Sequence, residues 1–154
     1  RYREQFLRTL ERGLYVHPAG RKCVKSYGYV GNIVHQIFGI LDAPAEAVNK
    51  KMFYVGDVPI DLLAWVNEFS MQLRGKRVRT VPCWVMKSMA LCGDILSAIK
   101  GRPFLINSRR LQSMTEDYLT PMERTFALLG DPPISMAEGV RRTVQWLREF
   151  NSGR

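Results

Sequence analysis

The sequence lacks both a long apolar run and the glycine signature of a nucleotide-binding loop. No stretch approaches the ~20 apolar residues that a membrane-spanning helix needs. No two of the twelve glycines lie two positions apart, so Gly-x-Gly-x-x-Gly cannot occur in these 154 residues. We therefore predict no membrane span, and no phosphate-cradling loop within this chain.

Recognisable catalytic and metal-binding motifs are also missing. None of the six tyrosines is followed by a lysine four positions later, and neither Gly-x-Ser-x-Gly nor His-Glu-x-x-His occurs. The three cysteines form no Cys-x-x-Cys pair, and the two histidines are not at ligand spacing with them. We predict no catalytic residue and no metal site. The odd number of irregularly spaced cysteines fits reduced thiols in a cytoplasmic protein.

Negative charge is scarce: 23 lysines and arginines against 14 acidic residues give a net charge of +9. The cations lie in small groups along the chain, and no recognition motif accompanies them. Nucleic acid is therefore not a predicted partner. A solvated surface and a small anionic ligand, such as a phosphorylated compound, both remain open as explanations.

Hydrophobic periodicity predicts helices alternating with short strands, an α/β, helix-rich fold. Helices are predicted from near Arg3, from Asn32 as N-cap, from Asp57 or Asp61, and from two capping boxes at 120–123 and 135–138. Short strands are predicted at 14–16, 27–30, 53–55 and 78–81, with a turn at 17–20. The apolar stretch 84–99 is interpreted as core, and Gly93-Asp94 is expected to divide it into two helices. The alternative is that this stretch lines a hydrophobic pocket or forms a docking surface for a partner.

One anion site is suggested by position. Lys25 directly precedes the predicted aromatic strand 27–30 and could place a cation at the ligand edge of a sheet. Arg109 or Arg110 could converge on it, because arginine forks pair well with phosphate oxygens. Surface charge is the alternative for each of these residues.

Four segments, in order, resemble the C-terminal part of the extended short-chain dehydrogenases/reductases, the NAD-dependent epimerase/dehydratase superfamily. They are Lys-Ser-Tyr-Gly-Tyr-Val-Gly-Asn at 25–32, Lys-Met-Phe-Tyr-Val-Gly-Asp at 51–57, the stretch 117–130 ending in Leu-Gly, and Ser-Met-Ala-Glu-Gly-Val at 135–140 followed by Thr-Val-Gln-Trp at 143–146. Together they span most of the chain.

The resemblance implies a Rossmann-type enzyme whose smaller, mostly helical substrate domain closes over the cofactor. In that family the cofactor glycines and the catalytic Ser/Thr, Tyr and Lys precede the matched region. Residues 1–154 are then expected to be a single substrate-binding region without its N-terminal dinucleotide-binding domain, and the first residue, Arg1, fits a fragment. NAD or NADP would be bound mainly by the missing part.

The implied function is that of the substrate-binding part of an NAD(P)-dependent oxidoreductase, epimerase or dehydratase. Such enzymes act by hydride transfer at a carbinol or ketone carbon, and the fragment alone is expected to be inactive. By position in the motifs, Lys25 matches a residue that contacts the diphosphate of sugar nucleotides. Tyr15 and His17 match the segment against the nucleotide base, and Arg110 falls near a second phosphate-binding arginine.

The substrate class stays open between a sugar nucleotide and a hydrophobic alcohol or ketone. Gly31-Asn32 replaces an acidic pair common in sugar-nucleotide enzymes, and the apolar 83–99 segment resembles the 3β-hydroxysteroid dehydrogenase-like branch. Both features favour a hydrophobic alcohol or ketone over a sugar nucleotide. A stand-alone ligand-binding or regulatory module without catalysis is the alternative function. A substrate domain separated from its partner would expose apolar surface, so self-association into a homo-oligomer is expected.

Overall fold

The structure, a computed structural model, describes residues 2–20, 22–101 and 106–152 and is rich in helix. In chain order its elements are α1 (Tyr2–Glu11), β1 (Val16–Ala19), β2 (Val24–Lys25), α2 (Val30–Leu41), α3 (Ala45–Val48), β3 (Ile60–Asp61), α4 (Leu62–Arg74), β4 (Arg79–Pro82), α5 (Cys83–Lys100), α6 (Ser108–Thr115), α7 (Glu123–Leu129) and α8 (Met136–Ser152). The prediction of a helix-rich fold with a few short strands is confirmed. No helix among the described residues is both long and apolar enough to cross a membrane.

The chain divides into two compact units, each built from two separate stretches. The first unit comprises 1–24 and 61–117, and the second comprises 25–60 and 118–154. β2 and β3 form a small sheet of their own, and the boundary between the units runs through both strands.

In the first unit, α1 packs on α4 through an aromatic cluster. Phe6 stacks on Trp65 with ring centroids 5.5 Å apart, and Trp65 meets Phe69 edge-to-face at 4.9 Å. Leu10 and Val66 are fully buried beside them. α4 ends where Gly75 adopts a left-handed conformation with φ 68°, as the sequence predicts, because glycine has no Cβ to oppose it.

The first unit also contains a parallel strand pair. β1 pairs with β4 in the register Val16↔Arg79 to Ala19↔Pro82. The predicted turn at 17–20 and the predicted strand at 14–16 are therefore wrong: the strand runs through Pro18. Proline is tolerated there because a two-stranded sheet has only edge strands, where a missing N–H need not break a ladder. The weak strand predicted at 78–81 is confirmed within one residue.

α5 is one helix, so the predicted break at Gly93-Asp94 is wrong. A glycine inside a helix costs only about 1 kcal/mol relative to alanine, and tertiary packing overrides it here. The buried residues Met86 and Ala90 pack with Leu111 of α6. The prediction that 84–99 is core is therefore correct only for the side of α5 that carries Met86 and Ala90. The opposite side is exposed at the residues Trp84, Leu91, Ile95 and Ile99.

In the second unit, α2 buries two polar residues and exposes most of its large apolar ones. Asn32 and Gln36 are buried, whereas the exposed side chains are Val30, Val34, Ile37, Phe38 and Leu41. The helix begins at Val30 with Tyr29 as N-cap, so the predicted capping role of Asn32 is wrong. α2 ends before Asp42-Ala43-Pro44 as predicted.

The predicted strands at 27–30 and 53–55 are absent from the described structure. Isolated hydrogen bonds hold both segments instead of a ladder. Asp57 accepts from the Tyr29 N–H at 2.7 Å and donates its own N–H to the Tyr27 carbonyl at 2.8 Å, whereas Thr125 donates to the Tyr54 carbonyl at 2.6 Å.

The two predicted capping boxes differ in outcome. α7 begins at Glu123 with Met122 as N-cap and no side-chain cap, so the box at 120–123 is wrong; the Thr120 N–H bonds Ser26 Oγ instead. At α8, Ser135 Oγ accepts from the Glu138 N–H at 3.3 Å as predicted. The carboxylate of Glu138 turns away to Arg141 and Arg142.

Candidate functional site

His17 lies at the centre of the candidate site in the first unit. It occupies an inward-facing position of β1 and is 1% exposed. The hydroxyl of Tyr15 lies 3.1 Å from its Nδ1, and the two rings are stacked with centroids 6.2 Å apart. The structure therefore brings together two of the side chains that the sequence analysis proposed: Tyr15 lies just before β1 and its hydroxyl contacts His17, the second residue of that strand.

The charge of Asp61, at the N-terminal end of α4, acts on this histidine. Burial lowers the pKa of His17 below its ordinary value of 6.5, and the Asp61 carboxylate opposes part of that effect. The imidazole is thus held neutral near pH 7, with Nδ1 facing the tyrosine hydroxyl. A neutral imidazole has one donor and one acceptor nitrogen and can bind either an acceptor or a donor group.

Asp61 also carries an unsatisfied oxygen. Its Oδ1 is buried and has no hydrogen-bond partner among the residues that the structure describes. Leaving a buried polar atom unpaired costs roughly 1–3 kcal/mol, so such atoms are rare in native folds and point to a missing partner. A hydroxyl or N–H group of a ligand would supply one.

Sequence reasoning considered Asp61 only as a possible helix cap. The structure places it at the N-cap position of α4, but its side chain makes no capping hydrogen bond. No sequence signal separates a capping aspartate from one that faces a histidine, since both precede an apolar helix. Its proximity to His17 arises from chain segments 44 positions apart.

Arg110 belongs to the same unit as Tyr15 and His17. It lies in the first turn of α6, where its backbone N–H donates to the Asn107 side chain at 2.9 Å. α6 packs against β1, the strand that carries His17. The side chain of Arg110 is exposed, so a guanidinium on this helix is accessible to an anion.

Lys25 belongs to the second unit and is 7% exposed. Its backbone forms a parallel bridge with Tyr118, and the following N–H, of Ser26, donates to the Tyr118 carbonyl at 2.7 Å. Lysines are seldom this buried without compensating interactions. Convergence of Lys25 with Arg109 or Arg110 on a single anion stays a prediction.

A buried polar network organises the second unit. Asp57 accepts hydrogen bonds from the Tyr29 N–H at 2.7 Å and from Asn32 Nδ2 at 2.6 Å. Asn32 also bonds both backbone groups of Ile134. Every member has partners, which is how buried polar groups contribute to a unique packing arrangement.

The position of the Tyr29 ring, next to this network, explains why residues 31 and 139 are glycines. A Cβ on Gly31 would lie 2.7 Å from the ring of Tyr29, and one on Gly139 would lie 3.1 Å from it. The Tyr29 ring thus occupies space that only glycine leaves free at Gly31. We interpret the network as structural, since its polar groups are satisfied within the chain.

No group of three or more His, Cys, Asp or Glu side chains able to hold a metal occurs among residues 2–20, 22–101 and 106–152.

A scan against protein-family models, a search of curated proteins and a search of solved structures each returned no match to this chain. Function must therefore be argued from the residues themselves.

Proposed function

We propose that this chain is the substrate-binding part of an NAD(P)-dependent oxidoreductase, epimerase or dehydratase. The observation that carries the proposal is the way the four segments of the resemblance meet. Segments 25–32 and 51–57 are joined through Asp57, and 25–32 reaches the residue preceding segment 135–140 through Asn32 and Ile134. Segment 117–130 joins them through Thr125 and the Tyr54 carbonyl.

This arrangement supports the proposal because the four similar segments fall, apart from Asp117, in the second unit and are hydrogen-bonded to one another there. Residues far apart in sequence that form one hydrogen-bonded network are constrained together. Asn32 and Asp57 are at motif positions, and each makes at least two hydrogen bonds of the network. The Rossmann-type assignment and the cytoplasmic location both follow from the same proposal.

The described residues do not fit a dinucleotide. The sequence has no glycine-rich turn between a strand and a helix, and the parallel strands β1 and β4 are four residues each. We therefore assign no step of hydride transfer to residues of this chain. NAD or NADP would be bound by another part of the enzyme.

The contribution of this chain would be recognition of the substrate. The Tyr15–His17 pair and the unsatisfied oxygen of Asp61 offer hydrogen-bonding groups suited to hydroxyls or carbonyls of a small molecule. Arg110 would bind a phosphate if the substrate carries one. A substrate with several hydroxyls, as in a sugar nucleotide, suits this polar cluster better than a wholly hydrophobic alcohol or ketone.

The test begins with the reading frame upstream of Arg1. A strand followed by Gly-x-x-Gly-x-x-Gly and a helix, with a later Tyr-x-x-x-Lys, is expected there. In the complete protein, Tyr15→Phe and His17→Asn should raise KM for the substrate by roughly tenfold and change kcat little, as for groups that bind without reacting. His35→Gln, on an exposed residue, is the matched control.

The chain alone should not oxidise NADH or NADPH above a buffer blank with any ketone substrate. Measurable turnover by the isolated chain would contradict the proposal. An upstream stop codon with a start site near Arg1 would also overturn it and favour the second candidate.

That second candidate is a stand-alone ligand-binding or regulatory module. The unsatisfied Asp61 oxygen beside a buried histidine favours it, since such a cluster can bind a ligand without any cofactor. Tight binding of a nucleotide sugar in the absence of NAD(P), measured by calorimetry, would distinguish this candidate, because a separated substrate domain should bind its substrate poorly.

A further inference from the structure

A groove in the second unit lies apart from all the residues discussed as candidate site. Its volume is about 370 Å³, within the range of small-molecule sites. The residues that line it are Ala47, Lys51, Phe53, Arg124, Ala127 and Leu128. Two of these are cationic, the other four are apolar, and none is acidic.

Residues of α3, of α7 and of the segment that follows α3 form the apolar part of the groove. Phe53 and Leu128 are half-buried and provide its larger surfaces. Ala47 of α3 and Ala127 of α7 are small and leave the space open. An apolar body placed here would remove hydrocarbon surface from water on both sides.

The two cations are held in place by backbone carbonyls. Lys51 Nζ donates to the Ala47 carbonyl at 2.8 Å and to the Glu46 carbonyl at 3.3 Å. Arg124 Nη1 donates to the Met52 carbonyl at 3.2 Å. These partners are uncharged, so they position the ammonium and guanidinium groups without neutralising their charge.

Both side chains keep donors for a ligand. An ammonium has three N–H groups and a guanidinium five, more than these bonds use. The salt bridges seen in the described part of the chain involve Glu138 and do not include Lys51 or Arg124. The neighbouring carboxylates of Glu46 and Glu123 do not line the groove.

From these features we propose that the groove binds a small amphipathic anion: a carboxylate or phosphate head joined to a short apolar body. The head bonds Lys51 and Arg124, and the body lies against Phe53 and Leu128. Charge-assisted bonds to a cation pair and burial of an apolar tail require one ligand with both parts. The proposal does not depend on the proposed enzyme function.

The test is a titration followed by two-dimensional ¹H–¹⁵N NMR with four probes: hexanoate, hexyl phosphate, 1-hexanol and inorganic phosphate. Hexanoate and hexyl phosphate should shift amides at 47–53 and 124–128 and saturate with Kd on the order of 1 mM, as suits an open groove. Hexanol lacks the anionic head and inorganic phosphate lacks the apolar body, so each should bind at least about tenfold more weakly. Hexanoate and hexyl phosphate together show whether the head is a carboxylate or a phosphate.

Three variants locate the site. Lys51→Gln with Arg124→Gln should weaken hexyl phosphate binding by roughly tenfold or more, since charge-assisted hydrogen bonds are lost. Ala127→Leu, at an exposed helical position, should fill the groove and weaken binding while both charges stay. Lys50→Asn is the matched control, because Lys50 is exposed, adjacent and at φ 58°, which asparagine tolerates.

Three results would overturn the proposal. Equal binding of hexanol and hexanoate would show that the anionic head contributes nothing. Shifts centred on the exposed apolar residues of α2 would show adsorption to that helix instead of binding in the groove. An unchanged affinity in both Ala127→Leu and the double variant would place the site elsewhere.

Discussion

Asn32 and Ile134 lie 102 positions apart and bond each other twice. Asn32 Nδ2 donates to the Ile134 carbonyl at 2.7 Å, and Asn32 Oδ1 accepts from the Ile134 N–H at 3.0 Å. The side-chain amide thus bonds both backbone groups of Ile134, as the backbone of a neighbouring strand would. Because the same Nδ2 also bonds Asp57, one fully buried residue connects three distant segments of the second unit.

Replacing Asn32 by aspartate should destabilise the chain by about 3 kcal/mol or more at pH 7. The change removes the Nδ2 donor toward the Ile134 carbonyl and places a second carboxylate beside Asp57. Urea unfolding followed by circular dichroism measures the free energy. His35→Gln, on the exposed side of the same helix, should change it by less than about 0.5 kcal/mol. A loss below 1 kcal/mol for Asn32→Asp would show that the network is not structural.

The pH dependence of stability should contain a contribution from His17. Burial lowers its folded pKa below 6.5, so below pH 6.5 the unfolded chain binds a proton that the folded chain does not. The free energy of unfolding should therefore fall as the pH drops from 6.5 toward the folded pKa of His17. The slope of one such group is at most about 1.4 kcal/mol per pH unit.

This dependence can be assigned by comparing the two histidines. Urea unfolding between pH 7.5 and 5.5 should show the slope in the original chain and in His35→Gln, because His35 is exposed. His17→Asn, which can keep an acceptor near the Tyr15 hydroxyl, should lose it. A slope that survives in His17→Asn would assign the titration to another group.

The carboxyl of Glu138 should titrate well below its ordinary range. Hydrogen bonds from Arg141 and then Arg142 lower its pKa from 4.5 to about 2. Any stability that this lowering provides is present above pH 4.5 and is lost as the pH falls toward 2. NMR titration of the side-chain carboxyl should show a normal midpoint in the Arg141→Gln, Arg142→Gln double variant.

Removing apolar side chains from the outer face of α2 should reduce self-association with little effect on stability. Leu41 and Phe38 are 72% and 61% exposed, so Leu41→Lys with Phe38→Lys removes little packing. The sedimentation coefficient measured by sedimentation velocity should shift toward that of the monomer.

Gln36→Lys, on the buried face of the same helix, is the contrasting variant. It should unfold the unit, because Gln36 bonds both backbone groups of Gly56. Unchanged sedimentation of the Leu41→Lys, Phe38→Lys variant would exclude α2 as the associating surface.

The local signals in the sequence predicted most of the helices. Periodic apolar residues marked α1, α4 and α8, and glycines marked where α4 and α7 end. Ser135 was recognised as a cap because its hydroxyl needs only a backbone N–H three residues later. These features depend on neighbours within one or two turns, which the sequence contains in full.

The candidate site was predicted only in part. Tyr15 and His17 are two positions apart, so their contact is local in sequence. Asp61 could not be found this way, because its effect on His17 depends on folding that brings together residues 44 positions apart. The aromatic segments at 27–30 and 53–55 look like strands, but Asp57 bonds the first and Thr125 of α7 bonds the second.

The sequence by itself thus determined where α1, α4 and α8 form and where α4 and α7 end, since propensity, capping and periodicity act between near neighbours. Only the tertiary structure decided that α2 turns Asn32 and Gln36 inward and its apolar residues outward, and that Val16–Ala19 pairs with Arg79–Pro82. The physical reason is that an amide buried against distant backbone groups outweighs the local preference to bury leucine and phenylalanine. Such partners, more than a hundred positions away in the case of Ile134, leave no local signal.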